Sequence, residues 1–253
     1  MLRAHATRGA IVEQTAAGWR LQIPGGAGGQ YRLAQLDNYA GLKRKLFPNY
    51  YPAELNLACR ASASELPGTW GFGFWNDPFA FSMGLRGMAR RLPALPNACW
   101  FFNASAENHL SFHDGFAGNG FLTQCFRGVN LPTRVLLPGA IGAPLLWVRI
   151  VSKLARKFIG KLIAEQSRTL DLDVTTWHDY HLSWEKDVVS FGMDGTEIFR
   201  STVSPQGPLG VVIWIDNQYA AWTPRGKIGM GTLAQAAPAW IEVKKVELKT
   251  RGL

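Results

Sequence analysis

A hairpin signal late in the chain constrains the fold more than any other feature of the sequence. Tyr180–Trp184 and Val189–Met193 each place large apolar residues at every second position, which is the period of a half-buried β strand. Asp194-Gly195 follows the second segment, and Thr196–Arg200 continues after it. Asp-Gly between such segments is among the strongest short hairpin signals, because the tight turn needs residues that tolerate positive φ. The chain is therefore expected to contain antiparallel β sheet.

Short segments of similar character, separated by turn residues, run along the rest of the chain. We predict strands at Trp19–Ile23, Tyr31–Leu36, Glu54–Ser62, Gly68–Trp75, Cys99–Asn103, His109–Phe112, Asn119–Phe126, Gly210–Ile215, Lys227–Leu233 and Ala239–Lys249. Pro24–Gly29 is interpreted as the turn that makes the second segment the return strand of the first. Many short strands without alternating helices favour a sandwich over a parallel α/β fold. Because sandwiches often use about 250 residues as one domain, residues 1–253 are predicted to form a single β-sandwich domain.

One segment, Pro144–Ala164, has the pattern of a helix. Pro144 suits a first helical position, and the segment is amphipathic. Its apolar side carries Trp147, Ile150, Val151, Leu154, Phe158 and Leu162, and its basic side carries Arg149, Lys153, Arg156 and Lys157. Such stripes usually face a core, so we expect the apolar side to pack on the sandwich and the basic side to face water. The alternative is that the basic helix binds a membrane or another anionic surface.

The net charge of the chain indicates only that a charged partner would be anionic. There are 27 Lys and Arg residues against 18 Asp and Glu, a formal net charge of +9, which attracts anionic partners. No nucleic-acid-binding motif is present, and no uncharged apolar stretch is long enough for a transmembrane helix. Cys59, Cys99 and Cys125 are too few and too scattered for a disulfide framework or a zinc site, and no signal peptide is recognisable. We therefore expect reduced thiols, a cytoplasmic location, and neither a cofactor nor a metal ion.

Three segments together resemble a known superfamily. WHDYHLSW at Trp177–Trp184 with VVSFGMDG at Val188–Gly195, AWIEVKKVEL at Ala239–Leu248 and GTWGFGFW at Gly68–Trp75 are similar to strands of the concanavalin A-like lectin/glucanase superfamily, in particular of family 16 glycoside hydrolases. The resemblance covers about half of the chain. It implies an all-β fold, a two-sheet antiparallel jelly-roll sandwich with one amphipathic helix inserted near residues 144–164. It also implies an aromatic cleft on one sheet.

The catalytic motif of that family is missing from the matching position. Family 16 enzymes carry E-x-D-x-x-E on the strand after the tryptophan strand, and retaining chemistry needs its carboxylates about 5 Å apart. The corresponding stretch here, Asn97–Ser105, reads NACWFFNAS and contains no acid. No catalytic residue of the family is therefore carried over to this chain.

Two clusters are candidates for the ligand site. The first combines aromatic and polar residues around the tryptophan strand: Trp75, Asp77, Trp100 and Asn103, with Trp70 and Asn76 beside them. The second follows a later strand: Trp214, Asp216, Asn217 and Trp222, with Gln218 and Tyr219. Flat rings stack on sugar faces, and amides and carboxylates bind hydroxyl groups. The same residues also suit a sandwich core with ordinary turns, so both interpretations stay open.

The histidines are weaker candidates. His109, His113 and Asp114, with Glu107, form either an acid–base group or a solvated loop, and the loop is favoured because turn residues surround them. His178 and His181 fall on opposite faces of one strand, which argues against a shared metal site.

The sequence thus favours a carbohydrate-binding sandwich that is non-catalytic or catalytically atypical. One alternative is a glycoside hydrolase-like enzyme that uses Asp77, Asp114 or Asp216. The other is an interaction or membrane-surface protein acting through helix 144–164.

Overall fold

Two antiparallel sheets form the molecule. The computed structural model describes residues 1–78, 94–131 and 143–250. The front sheet has the strand order β1 (Arg3–Ala6), β4 (Leu33–Asp37), β13 (Gly210–Asp216), β6 (Thr69–Trp75), β7 (Asn97–Ala104), β8 (Gly120–Gly128) and β9 (Ile163–Thr169). The back sheet has the order β12 (Thr196–Ser201), β11 (Val189–Met193), β10 (His178–Trp184), β5 (Ala53–Ala61), β16 (Ala239–Thr250), β3 (Gly18–Ile23) and β2 (Ile11–Thr15). A separate small sheet pairs β14 (Gln218–Trp222) with β15 (Ile228–Thr232). The predicted antiparallel sandwich is confirmed.

The hairpin predicted from Asp194-Gly195 forms between β11 and β12. Met193 pairs with Thr196 and Gly192 with Glu197, after which a bulge shifts the register so that Phe191 pairs with Phe199. Both turn residues have positive φ, 50° at Asp194 and 80° at Gly195. The carboxylate of Asp194 also accepts a hydrogen bond of 2.9 Å from the backbone nitrogen of Asp179. The turn chemistry that identified the hairpin therefore also stabilises it.

The main core lies between the two sheets and follows from strand alternation. Leu55, Leu57 and Cys59 of β5 are buried on one side, as their spacing predicts. On β6 the large rings of Trp70, Phe72 and Phe74 all face this core. The glycines between those rings place no side chain on the opposite face of the sheet.

Some strand partners differ from the prediction. The segment after the Pro24–Gly29 loop does not return along β3, because β4 pairs with β1 and β13 in the front sheet. β3 pairs instead with β2 and β16 in the back sheet. The predicted strand His109–Phe112 contributes only a single bridge, from His109 to Ala221. Four strands, β1, β2, β9 and β14, were not predicted, because these segments are either too polar or too short to show the alternation that indicates a strand.

The helix is present, but only part of its predicted orientation is found. Arg149, Lys153 and Lys157 are exposed as predicted, whereas Arg156 is buried and the apolar side does not pack on the sandwich. A 3-10 turn at Ala143–Trp147 leads into α1 (Arg149–Gly160), so the helix is shorter than the predicted range because β9 begins at Ile163. Within α1 the buried residues are Ser152 and Arg156, whereas the apolar side is exposed. The expectation that this apolar side packs on the sandwich is wrong. Within the described ranges, no helix has the length and apolar character needed to cross a bilayer.

Candidate ligand-binding site

The outward side of the front sheet, called the front face below, carries four of the eight predicted ligand residues. Alternation along three neighbouring strands directs mainly aromatic and polar side chains to this side. They are Thr69 and Trp75 of β6, Trp100 and Phe102 of β7, and Val212, Trp214 and Asp216 of β13. The structure therefore brings Trp75 and Trp100 of the first predicted cluster into contact with Trp214 of the second. Asp216 lies on the same face but six residues along β13 from Gly210, the pairing partner of Trp75, which is about 20 Å along the strand.

The three tryptophan rings are in mutual contact. The planes of Trp75 and Trp214 are 3° from parallel with ring centroids 6.2 Å apart, and Trp100 lies 5.9 Å from the first and 5.7 Å from the second. Gly71 and Gly73 make this contact possible. A Cβ at Gly73 would stand 2.7 Å from the Cβ of Trp100, and one at Gly71 would stand 3.0 Å from the ring of Trp214. The glycines of GTWGFGFW therefore let the flanking rings lie across β6.

This aromatic group is packed more tightly than an open cleft would require. Trp100 is 6% exposed and Trp214 is 7% exposed, while Trp75 is half-buried. Other apolar side chains of the same cluster contribute to the packing: Tyr31, Tyr39, Phe47, Leu110, Phe112 and Ile159. The indole nitrogen of Trp75 is buried without a hydrogen-bond partner among the described residues. This nitrogen has essentially no accessible area, so its burial is a further sign of tight packing.

Asp216 is the most perturbed carboxylate of the front face. Its oxygens accept hydrogen bonds from the hydroxyl of Thr69 at 2.9 Å, from the hydroxyl of Tyr31 at 3.2 Å and from the backbone nitrogen of Gln218 at 3.0 Å. Burial raises the pKa of Asp216 to about 6, and the three hydrogen bonds oppose that rise. A group titrating near neutrality beside an aromatic face has the chemistry of a ligand-binding or acid–base site.

Tyr31 is hydrogen-bonded to Asp216 and is influenced at longer range by the charge of Asp77. The pKa of Tyr31 is raised well above its ordinary value, first by burial, then by the charge of Asp216 and, more weakly, by that of Asp77. Asp77 follows β6 in a left-handed conformation with φ of 47°, and Arg44 donates a hydrogen bond of 2.7 Å to its backbone oxygen. Two of the three acids that the sequence analysis named therefore act on one phenol. The third, Asp114, is exposed and pairs with Arg156 of α1.

A second series of hydrogen bonds on the front face, apart from those of Asp216, was not predicted. The indole of Trp100 donates to Gln124 at 3.3 Å, and Gln124 donates to Glu165 at 2.9 Å. The other oxygen of Glu165 accepts the backbone nitrogen of Phe112 at 2.8 Å. Gln124 lies in a predicted strand, and a glutamine among the apolar residues of that strand could have indicated a buried hydrogen bond. Glu165 lies on β9, which the sequence pattern did not reveal.

Three of the predicted ligand residues do not lie on this surface. Asn103 alternates with Trp100 and so faces the main core, on the same side as Phe101. Asn217 is fully buried, and its side chain bonds the backbones of Gln30, Arg32 and Leu233, which gives it a structural role. Trp222 packs beside α1 and donates a hydrogen bond of 2.9 Å to Ser152. Trp70, considered with the first cluster, is a core residue stacked on Phe121.

The histidines do not gather into a centre. His113 lies 3.1 Å from the backbone oxygen of Glu165, and His178 pairs with Asp194 at 2.7 Å on the back sheet. Among the residues with described positions, no group of three or more His, Cys, Asp or Glu side chains is arranged to hold a metal ion. All three cysteines are buried and unpaired.

Comparisons with known proteins bear on the fold. No family model matches the sequence. No curated protein matches it either. Among solved structures, a Crh5 transglycosylase in complex with NAG superposes with a TM-score of 0.50 at 12% identity, covering 98% of this chain and 79% of that one. A Bacteroides ovatus family 16 glycoside hydrolase with a mixed-linkage glucan product gives 0.47 at 8% identity, covering 96% and 94%. The Emp47p carbohydrate recognition domain gives 0.46 at 9% identity, covering 98% and 88%.

The first of these likenesses, together with the two antiparallel sheets, establishes the fold. The chain is a concanavalin A-like jelly-roll sandwich. At 12% identity, what is shared is the arrangement of the strands.

Proposed function

We propose that the protein binds a carbohydrate on the front face without hydrolysing it. The observation that carries the proposal is the contact group of Trp75, Trp100 and Trp214, whose Trp214 indole is joined to the buried carboxylate of Asp216 through the hydroxyl of Thr69. Aromatic rings with a few fixed polar groups form the usual lining of a small-molecule site. A structure of the same fold, the Crh5 transglycosylase, is solved with NAG.

Trp75 is the residue that a sugar meets first. It is half-buried, whereas the two rings behind it are almost completely covered. Trp214 holds the Trp75 plane parallel to its own, which preorganises a stacking surface and reduces the entropy lost on binding. Asp216 and Thr69, farther along the face, supply the polar groups that would bind hydroxyls.

The positions of the acids support binding without hydrolysis. By the resemblance to family 16 enzymes, the acids of that family would fall on the strand after the tryptophan strand, which is β7 here. The outward positions of β7 are Ala98, Trp100, Phe102 and Ala104. Asp37 is the acid on β4, the strand next to β13. It lies four residues along β4 from Leu33, the pairing partner of Asp216, so the backbones of Asp37 and Asp216 are about 14 Å apart along the strand. The two carboxylates also lie at the ends of antiparallel strands and bond to the residues that follow each strand. Asp37 accepts hydrogen bonds from the backbone nitrogens of Tyr39 and Ala40, and Asp216 accepts one from the backbone nitrogen of Gln218. This pair is therefore far from the spacing of about 5 Å that a retaining mechanism needs.

A second candidate, hydrolysis by other acids, is favoured by one observation. Asp216 has a pKa of about 6, and Tyr31 is influenced by both Asp216 and Asp77. A carboxyl that is protonated near neutrality is what a general acid requires. In this alternative Asp216 protonates the leaving group and Asp77 is the second carboxylate.

The experiment that tests binding compares two half-exposed tryptophans. Calorimetric titration with chitooligosaccharides and β-glucan oligosaccharides is carried out on the unchanged protein, on Trp75→Ala and on Trp177→Ala, whose ring lies on the back sheet. Loss of one stacked ring is expected to weaken binding by about tenfold for Trp75→Ala, with no change for Trp177→Ala. Absence of binding to both sugar classes, or equal losses in the two variants, would contradict the proposal.

Hydrolysis is tested with the same oligosaccharides by measuring new reducing ends. The carbohydrate-binding proposal expects none. If the unchanged protein releases them and both Asp216→Asn and Asp77→Asn abolish the release while Asp114→Asn retains it, the second candidate replaces the first.

A further inference from the structure

We propose that the outward side of α1 docks on an anionic lipid surface. Trp147, which precedes α1, together with Ile150, Leu154 and Phe158 forms a row along the helix, called the apolar stripe below. These four side chains are 72%, 74%, 63% and 65% exposed, respectively. Isolated exposed apolar residues are ordinary, but a contiguous stripe of large ones marks an interaction surface.

The apolar stripe is exposed because the opposite side of the helix is fixed by polar contacts. The buried guanidinium of Arg156 donates to the backbone oxygens of Trp222 and Ser111, each at 2.9 Å, and pairs with Asp114. The indole of Trp222 donates to the hydroxyl of Ser152. These bonds determine which side of the helix faces the sandwich. The exposure of the stripe is thus a consequence of specific packing.

A continuous row of positive charge borders the apolar stripe. Arg149, Lys153, Lys157 and Lys161 follow one another at helical spacing, and all are exposed. The turn between β14 and β15 adds two more exposed cations, Arg225 and Lys227, which lie on either side of Gly226. These six residues are called the basic rim below.

The turn is held directly against the helix. A Cβ added at Gly226 would stand 2.3 Å from the backbone oxygen of Arg149 and 2.9 Å from the backbone nitrogen of Lys153. This close approach requires a glycine, and φ of 75° at the same position requires it as well. Two separate elements of the chain are therefore placed to contribute positive charge to one surface.

The combination fits a lipid surface better than a protein groove. α1 has 12 residues and contains no acid, and the first acid after it, Glu165, is buried on the front face. A bilayer interface accepts a helix lying in its plane, with Trp and Phe side chains among the acyl chains and Lys and Arg side chains reaching the phosphates. The net charge of +9 adds long-range attraction to the same surface.

Vesicle binding provides the test. The protein is sedimented with vesicles of phosphatidylcholine alone and with vesicles that also contain phosphatidylserine. We expect binding to the second type only, decreasing as salt is added. Leu154→Cys labelled with bimane gives a positional readout, because the native cysteines are all buried. Its emission is expected to shift to the blue with anionic vesicles, whereas that of Ile11→Cys on β2 is expected to remain unchanged.

Paired variants separate the two components of the surface. Each Lys or Arg near an anionic leaflet changes affinity about fivefold, so Lys153→Gln with Lys157→Gln is expected to weaken binding about 25-fold. Lys186→Gln with Lys249→Gln removes the same charge from the back sheet and is expected to have little effect. Leu154→Ser with Phe158→Ser is expected to abolish binding to anionic vesicles, whereas Ile11→Ser with Leu248→Ser, also exposed, retains it.

Three outcomes would overturn the proposal. Absence of binding to phosphatidylserine vesicles would do so directly. A dimer in sedimentation that dissociates in Leu154→Ser with Phe158→Ser would assign the stripe to a second copy of the chain. A bimane label at position 154 that is already shielded from water without vesicles would show that another part of the chain covers the stripe. None of these results depends on the carbohydrate proposal, since neither the apolar stripe nor the basic rim contains a front-face residue.

Discussion

The front face and the apolar stripe of α1 both contain large apolar side chains but differ in their exposure to solvent. Both present large apolar side chains, Trp100 and Trp214 on the sheet and Ile150 and Phe158 on the helix. The first two are almost completely buried, and the second two are mostly exposed. Hydrophobicity therefore did not decide which surface was covered.

The difference arises from the contacts available to each element. The rings of the front face touch one another at centroid distances of about 6 Å or less, so each contributes to the burial of the next. On the helix, Arg156 and Ser152 form the contacts with the sandwich, and the stripe points away from it. Buried polar contacts such as those of Arg156 and Ser152 are therefore able to orient a helix against the direction that its apolar side predicts.

The largest expected difference between the front face and the apolar stripe is in the free energy of unfolding. Trp100→Ala removes a ring that contacts Trp75, Phe102 and Trp214, and is expected to lower the free energy of unfolding by about 3–5 kcal/mol. Phe158→Ala, at a similar residue type in the exposed stripe, is expected to change it by less than about 0.5 kcal/mol. Urea unfolding of both variants measures the two values. Similar losses would mean that the stripe is part of a core.

The next effect concerns the pH dependence of stability through Asp216. Because its pKa in the folded protein is about 6, above the ordinary 3.8, the folded state keeps the proton over this interval while the unfolded state loses it. The stabilisation is therefore complete below about pH 4 and is lost as the pH rises to about 6, a total of about 3 kcal/mol. In Asp216→Asn this fall is expected to be absent. Urea unfolding of both proteins between these pH values is the measurement, and equal slopes would contradict the assignment.

A smaller effect is expected at the anchor of the helix. Arg156→Met removes the donors to Ser111 and Trp222 and is expected to cost about 2 kcal/mol. Lys157→Met, one residue away but exposed, is expected to leave stability unchanged. Hydrogen exchange gives the local readout, since the amides of α1 should exchange faster in the first variant only. If α1 is equally protected in both, the guanidinium is not what holds it.

Much of the sheet structure followed from local patterns, and the errors have a common cause. The hairpin at Asp194-Gly195 and the buried side of β5 were predictable, because turn chemistry and alternation act between residues close in sequence. The pairing of β3 and β4 was not, since a loop that crosses between the sheets and a loop that closes a hairpin use the same turn residues. On the front face, alternation placed Trp214 and Asp216 on one side. The contact of Trp214 with Trp75 and Trp100 depends on the strand order β13-β6-β7.

The all-β class, the positions of most strands and the presence of a basic amphipathic helix could be predicted from the sequence, because each depends on periodicity and turn residues. Three features could be found only from the folded structure: Asn103 and Trp222 lie outside the proposed site, Glu165 lies on the front face, and the apolar stripe of α1 faces outward. These outcomes depend on contacts between residues far apart in sequence, such as Arg156 with Ser111 and Trp222. No local pattern encodes the free energy of such contacts.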